Sequence, residues 1–272
     1  MKTIKSEKVA ATAQPKHRKG ISAALVIAVC AVVAFVFFYY VCGNPSNFDA
    51  KGHPIDNNIF GTLYQGGFVI PIVMTLLLTV LSLGVERIIA LSKANGKGKI
   101  VNFVAQAKSL LQNGDLDATE ELCDKQRGSV ANILKAALVR YRDVENRSDL
   151  TSDEKAGIVE KEVADATALE LPYMQQNLNV IATISSLGTL FGLLGTVLGM
   201  IRSFGAMANE GAPDSIALSL GISEALMNTA MGIMTGALAI IVYNYFSSKV
   251  ENITNAVDEV GFAIGQTFKE KK

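Results

Sequence analysis

Four long apolar runs, separated by polar stretches of very unequal length, dominate the chain: Ile21 to Cys42, Gly67 to Leu91, Val180 to Phe204 and about Ile216 to Phe246. A helix needs about 20 apolar residues to cross the roughly 30 Å hydrocarbon core of a bilayer, and each run is that long. The pattern predicts an all-α integral membrane protein with four transmembrane helices and a helical cytoplasmic domain between the second and third. In residue numbers, 1–19 is a basic tail, 20–43 a first transmembrane helix, 44–65 a periplasmic loop and 66–91 a second transmembrane helix. Then come the cytoplasmic domain over 92–179, a third span over 180–205, a loop over 206–215, a fourth span over 216–246 and a C-terminal helix over 247–272.

The long polar interval has helical periodicity of its own. Ile100 to Gln112 reads as an amphipathic helix ended by Asn113-Gly114, followed by Asp117 to Lys125 and Ser129 to Val144. Thr151-Ser-Asp-Glu154 has the spacing of a capping box, in which hydroxyl and carboxylate satisfy the free amides at a helix start. The helix it opens runs toward Leu171, and Pro172 implies a kink or break before the third span.

Wheel arithmetic at about 100° per residue sorts the third and fourth spans into faces. Gly188, Gly192, Gly195 and Gly199 share one narrow strip, with Ser185, Thr189, Thr196 and Ser203 beside it and leucines on the back. In the fourth span Glu224, Asn228 and Thr235 share a face, with Ala225, Thr229, Gly232 and Gly236 adjoining. Small residues at four-residue spacing let membrane helices approach closely, and Ser and Thr bond across them. Helix packing is therefore the expected role of Gly188, Gly192, Gly195, Gly199, Gly232 and Gly236, and leucine at Gly195 is expected to break up an oligomer.

Composition agrees with the membrane reading: half the residues are hydrophobic. Lys+Arg and Asp+Glu are each 25, a balance that points to no nucleic acid. Their placement is more informative, because cytoplasmic loops collect positive charge near span ends. Lys2, Lys5, Lys8, Lys16, Arg18 and Lys19 precede the first run, Arg87 closes the second with Lys93, Lys97 and Lys99 after it, and Lys249, Lys269, Lys271 and Lys272 follow the fourth. The loop after the third carries Glu210 and Asp214 only, and that after the first only Lys51 as a base. Both termini are thus expected in the cytoplasm. The first run is longer than the roughly 7–15 residues of a signal-peptide core and lacks a small-x-small cleavage site, so it is expected to be retained as an anchor.

No enzyme chemistry assembles from these residues. Cys30, Cys42 and Cys123 have neither metal-ligand spacing nor a pairing framework, and His17 and His53 stand alone, so no metal or cofactor is expected. The notable ionisable group is Glu224, inside the fourth span. An intramembrane carboxylate is costly and faces a protein interior or a watery cavity. It is either an interhelical contact or part of an ion path with Thr196, Thr229, Ser185, Thr189 and Asn228. Hydroxyls pass hydrogen bonds but hold no transferable proton near neutral pH. An ion path would therefore need a carboxylate from another polypeptide.

At these residues the chain resembles the MotA/TolQ/ExbB proton-channel family, most closely its ExbB branch. GLLGTVLGMIRSF (Gly192 to Phe204) and LGISEALMNTAMGIMTGALAIIVYN (Leu220 to Asn244) carry the likeness. GGFVIPIVMTLLLTVLSLGVERIIAL (Gly66 to Leu91, ending near Glu86-Arg87) is similar to the family's first common span. The resemblance implies a bacterial inner-membrane, multi-pass proton-channel subunit of an energy-transducing complex, with Thr196 and Thr229 lining the pore and Glu224 a recurrent functional position. It further implies a homo-oligomer, a pentamer, around an ExbD/TolR-like single-span partner with a membrane aspartate, a TonB-like protein and surrounding phospholipid. Work of the TonB-dependent transport kind, TolQ-like envelope maintenance and MotA-like stator activity all fall within that class. A solute transporter or a plain membrane anchor are the rivals outside it. The chain departs from the family in having Gly188-Thr189 where Ala-Pro is usual, Leu238 where a proline is common, and an additional first span.

Overall fold

The computed structural model describes residues 22–50, 53–55, 58–209 and 215–270, and shows α-helices with short connections. The helices are α1 (Ala23–Val36), α2 (Ile59–Gln65), α3 (Val69–Asn95), α4 (Ile100–Gln112), α5 (Leu116–Gln126), α6 (Ser129–Glu145), α7 (Ser152–Gln175), α8 (Leu178–Asn209) and α9 (Ser215–Glu270). Among the described residues, four stretches long and apolar enough to cross a membrane lie within Ala23–Cys42, Val69–Gln112, Ser152–Gly205 and Leu218–Thr267. The basic residues up to Lys19, and also Lys51, Glu210, Asp214, Lys271 and Lys272, lie outside the described residues, and with them most of the charge pattern used to orient the chain.

The first span does not end as a plain α-helix. After Val36 it continues as a π-helical turn, Phe37–Cys42. Its free carbonyls are taken by Asn47, whose amide donates to Val41 O at 2.7 Å and Cys42 O at 3.0 Å. Asn58 in turn donates to Asn47 Oδ1 and accepts from the amides of Phe60 and Gly61, capping α2. The loop expected over 44–65 thus contains an ordered corner. Phe38 stacks on Tyr64 at 5.0 Å, and Phe38, Cys42 and Ile70 bury a small core against Met227 and Met231 of α9. Gly66 and Gly67 turn the chain from α2 into α3, and Gly67 sits at φ +69°, where a β-carbon would be strained.

The interval between α3 and α8 folds as the periodicity predicts. Thr151 forms the capping box with Glu154, in both directions. Val104, Leu111, Leu134, Leu138, Val159 and Val257 meet in one apolar core built from α4, α6, α7 and α9. Arg142 bridges α6 to Asp117 and Glu120 of α5, and its hydrogen bond holds the Glu120 carboxyl below the usual carboxylate range.

Two boundaries differ from those expected. The helix begun at Thr151 passes through Pro172 and ends at Gln175, and the break falls at Gln176-Asn177, with Asn177 at φ +64°. Arg87 explains the displacement. Its fully buried guanidinium donates to Tyr173 O at 3.0 Å and Met174 O at 3.3 Å, satisfying carbonyls that the helix end leaves free. Its charge is answered by Glu86, 2.6 Å from Nε. Arg87, counted from the sequence among the cytoplasmic bases at the end of the second span, is an internal brace.

The second difference is α9. The fourth span and the C-terminal helix form one uninterrupted helix of 56 residues, about 84 Å long at 1.5 Å per residue. Nothing between Asn244 and Gln266 breaks it. Gly261 and Gly265 serve instead to bring α7 close, since a β-carbon at Gly261 would lie 2.9 Å from Val163.

All three cysteines are free and buried. Burial pushes the Cys123 thiol up to about 12. At pH 8 its thiolate fraction falls to about one in ten thousand, against about a tenth for an unshifted thiol. Iodoacetamide at pH 8, followed by peptide mapping, should leave Cys123 unmodified in the folded protein and label it fully after unfolding. Fast labelling of the folded chain would contradict the packing of α5 against α6.

Candidate functional site

The site is the seam between α8 and α9, which run antiparallel. Their glycines let the backbones touch. A β-carbon at Gly232 would lie 2.6 Å from both Gly188 O and Gly192 Cα, and one at Gly192 would lie 3.0 Å from Asn228 O and Gly232 Cα. A β-carbon at Gly199 would likewise meet Gly221 O and Ala225, and one at Gly236 would lie 2.7 Å from Ser185 O. All six glycines of the two strips therefore lie inside one chain, between its own helices. The oligomer-breaking effect expected of leucine at Gly195 becomes an effect within the subunit, because Gly195 faces the side chain of Asn228.

This proximity brings hydroxyls together. Thr196 and Thr229 are hydrogen bonded to one another through their Oγ1 atoms. Thr196 also donates to Gly192 O at 3.2 Å, and Thr229 lies 3.5 Å from the same carbonyl. Both side chains are half-buried, so the pair keeps one open side. Thr189 is exposed and donates to Ser185 O at 3.4 Å; Ser185 is half-buried. Ser203 is buried and donates to Gly199 O, while Thr235 is buried and donates to Met231 O. The strips thus divide into hydroxyls sealed within the chain and hydroxyls left open.

Asn228 and Glu224 connect this seam to the corner before α3. Asn228 is fully buried, and its Nδ2 donates to Gly66 O at 2.8 Å and Glu224 O at 3.0 Å. It stands inside the subunit, not on an open wall. Glu224 Oε1 accepts from Arg202 Nη1 at 2.6 Å, with 14% of the Glu224 side chain and 58% of the Arg202 side chain exposed. A β-carbon at Gly67 would lie 2.6 Å from the same carboxylate oxygen, which places Glu224 directly against this corner. Along α9, Glu224 and Thr229 are separated by about 7.5 Å of rise.

Arg202 is the residue that sequence reasoning passed over. It is the one charged residue in α8, and a lone base in an apolar helix calls for a partner. Gly188 with Gly236, Gly195 with Asn228, Thr196 with Thr229 and Arg202 with Glu224 are all roughly equidistant from the α8–α9 turn. That antiparallel register was the available signal.

The sequence profile of the MotA/TolQ/ExbB proton channel family matches residues 126–259, which take in α6 to α8 and most of α9 and leave α1 to α4 outside. The chain is 28% identical over 169 residues to the biopolymer transport protein ExbB of Salmonella typhimurium, covering 60% of this chain and 69% of that one. It is 29% identical over 157 residues to ExbB of Pseudomonas putida, covering 57% and 45% of the two chains. It is also 29% identical over 122 residues to the Tol-Pal system protein TolQ of Pseudomonas aeruginosa, covering 45% and 53%.

Gly232→Ala should separate α8 from α9 and destabilise the protein by about 1–3 kcal/mol, the usual range for overpacking, because only backbone stands in the way. Gly205→Ala meets nothing within 4 Å and should stabilise α8 by up to about 1 kcal/mol. Thermal midpoints in mild detergent should move in opposite directions for the two variants.

Proposed function

Since the chain belongs to the MotA/TolQ/ExbB proton channel family, a family of non-enzymatic membrane transport proteins, we propose that it is the ExbB-like channel subunit of an inner-membrane complex that couples the proton motive force to work across the periplasm. The supporting observation is the hydroxyl pair of Thr196 and Thr229, half-buried between two apolar helices with one side open. Such a pair orders water and relays hydrogen bonds but stores no proton, since an alcohol does not ionise near neutral pH. Glu224 is the one carboxylate in the apolar part of α9, and it is held by Arg202. The proton carrier is then supplied by a second polypeptide, an ExbD/TolR-like span with a membrane aspartate, enclosed by copies of this chain, five in the reading adopted here.

In this reading Ser185, Thr189, Thr196 and Thr229 line the water path, and the glycine seam holds their two helices at fixed spacing. Glu224 and Asn228 act at its rim: both bear on the Gly66-Gly67 corner and fix the mouth of the path. Both termini face the cytoplasm, with α4 to α7 on that side. TonB-type transport is favoured by the relatives named ExbB, and TolQ-like envelope maintenance is the alternative favoured by the TolQ relative.

Thr196→Val and Thr229→Val keep side-chain volume and remove the hydroxyl. In liposomes holding the chain with its aspartate-bearing partner, each should lower proton flux at least about ten-fold, the scale of losing one good polar contact of about 1.4 kcal/mol in the conducting state. Assembly, read by native mass spectrometry, should not change. Unchanged flux would remove the threonines from the path.

Arg202 and Glu224 provide a separate test. Removing one member of a partly buried pair strands the other charge. Glu224→Gln and Arg202→Gln alone should each impair flux, whereas the double variant should recover it. A carboxylate that itself carried protons would not be rescued in this way.

A further inference from the structure

A cavity of about 1050 Å³ opens between the end of α3, the start of α4 and the middle of α9. Its chemistry is graded. Its lining joins Ile88, Leu91, Tyr245 and Phe246, the last apolar residues of two spans, to Lys249 one turn on from Tyr245 and to Lys99, Lys108, Asn252 and Asn255 beyond. Lys108 is answered by Glu259 at 2.8 Å. Lys249 lies 5.6 Å from the centre of the Tyr245 ring, and among the described residues neither Lys249 nor Lys99 pairs with a carboxylate. The cavity therefore keeps two uncompensated positive charges.

The apolar end continues outward. Val85 and Leu81 stand three and seven residues before Ile88 on α3, and Ile241 stands four before Tyr245 on α9; all five are largely exposed. At helical spacing these make two apolar rails that lead from the cavity along the spans. A ligand that fits must therefore be anionic at one end and long and apolar at the other. It must also sit where the hydrocarbon ends, since Lys93 and Lys99 follow directly on α3 and Lys249 on α9. Basic pockets between membrane helices at that depth take anionic lipid headgroups, and each lysine near the surface contributes on the order of a five-fold preference.

We propose that this cavity is a binding site for one anionic phospholipid, its phosphate between Lys99 and Lys249 and its acyl chains along Leu81, Val85 and Ile88 of α3 and Ile241 of α9. The occupant joins α4 to α9 at the point where the helical domain leaves the membrane, and so stiffens that joint. One wall, α3 and α4, lies outside residues 126–259, the stretch that the family profile matches. The proposal is also independent of the proposed proton path, none of whose residues lines this cavity.

The chain contains no tryptophan. Tyr245→Trp therefore places a single tryptophan, excited selectively over the tyrosines, in the cavity, and Leu190→Trp, on the exposed back of α8, serves as a control. Each variant is reconstituted in phosphatidylcholine vesicles with a small fraction of brominated-chain phosphatidylglycerol or, in parallel, brominated-chain phosphatidylcholine. Phosphatidylglycerol should quench Tyr245→Trp at least about five-fold more effectively, whereas Leu190→Trp should show no preference. Adding Lys99→Gln and Lys249→Gln should abolish the preference at Tyr245→Trp. Equal quenching by the two lipids, or a preference that survives loss of both lysines, overturns the proposal. Failure of either lipid to quench, with a cysteine at Val101 cross-linking between copies, also overturns it by showing a second subunit in the cavity. Should Tyr245→Trp fail to assemble, Val101→Trp on the opposite wall gives the same reading.

Discussion

The approach of α8 to α9 at backbone contact governs the membrane part of this protein. With glycine on both sides of the seam, main-chain atoms of Gly188, Gly192, Asn228 and Gly232 stand where side chains would otherwise hold the helices apart. In a membrane there is no hydrophobic gain from pairing two apolar helices, so close packing and hydrogen bonds must supply the attraction. The glycines provide the first, and by doing so they bring Thr196 within reach of Thr229, which is the second. A β-carbon at Gly232 would undo both.

The same economy holds for the polar groups buried elsewhere. Three of them answer a backbone group that the fold would leave free. Arg87 meets the carbonyls at the end of α7, Asn228 meets Gly66 O, and Asn47 meets the last carbonyls of the π-helical turn. These bonds fall where a helix stops or bends, and a membrane interior offers no water to do the work instead. The result is a chain of contacts from the additional first span through the Gly66-Gly67 corner to Asn228 and Glu224, one turn from the threonine pair. Among the described residues of the seam, Asn228 Oδ1 is the side-chain polar atom left buried without a hydrogen-bond partner.

α9 runs through this arrangement as a single rod. Its first half forms the glycine seam and its second half packs on α7 and α4, with Gly261 and Gly265 closing the gap to α7. One continuous helix therefore joins the seam to the helical domain. The absence of the proline at Leu238 agrees with that continuity, since a proline there would interrupt the hydrogen-bond ladder.

Local pattern was sufficient for much of this. Run length identifies the four apolar helices, periodicity sets Ile100–Gln112 to the residue, and Thr151 with Glu154 marks the start of α7, because each depends only on neighbours within a turn or two. The wheel likewise assigns the glycines and threonines to shared faces. It cannot say which face meets which. That Arg202 answers Glu224, that Arg87 is buried against α7 and that Asn228 is sealed against Gly66 follow from the antiparallel register of α8 on α9 and the docking of α3 beside them. These contacts join residues 22 to 162 positions apart, where no periodicity reaches; only the folded chain, by choosing which helices touch, could decide them.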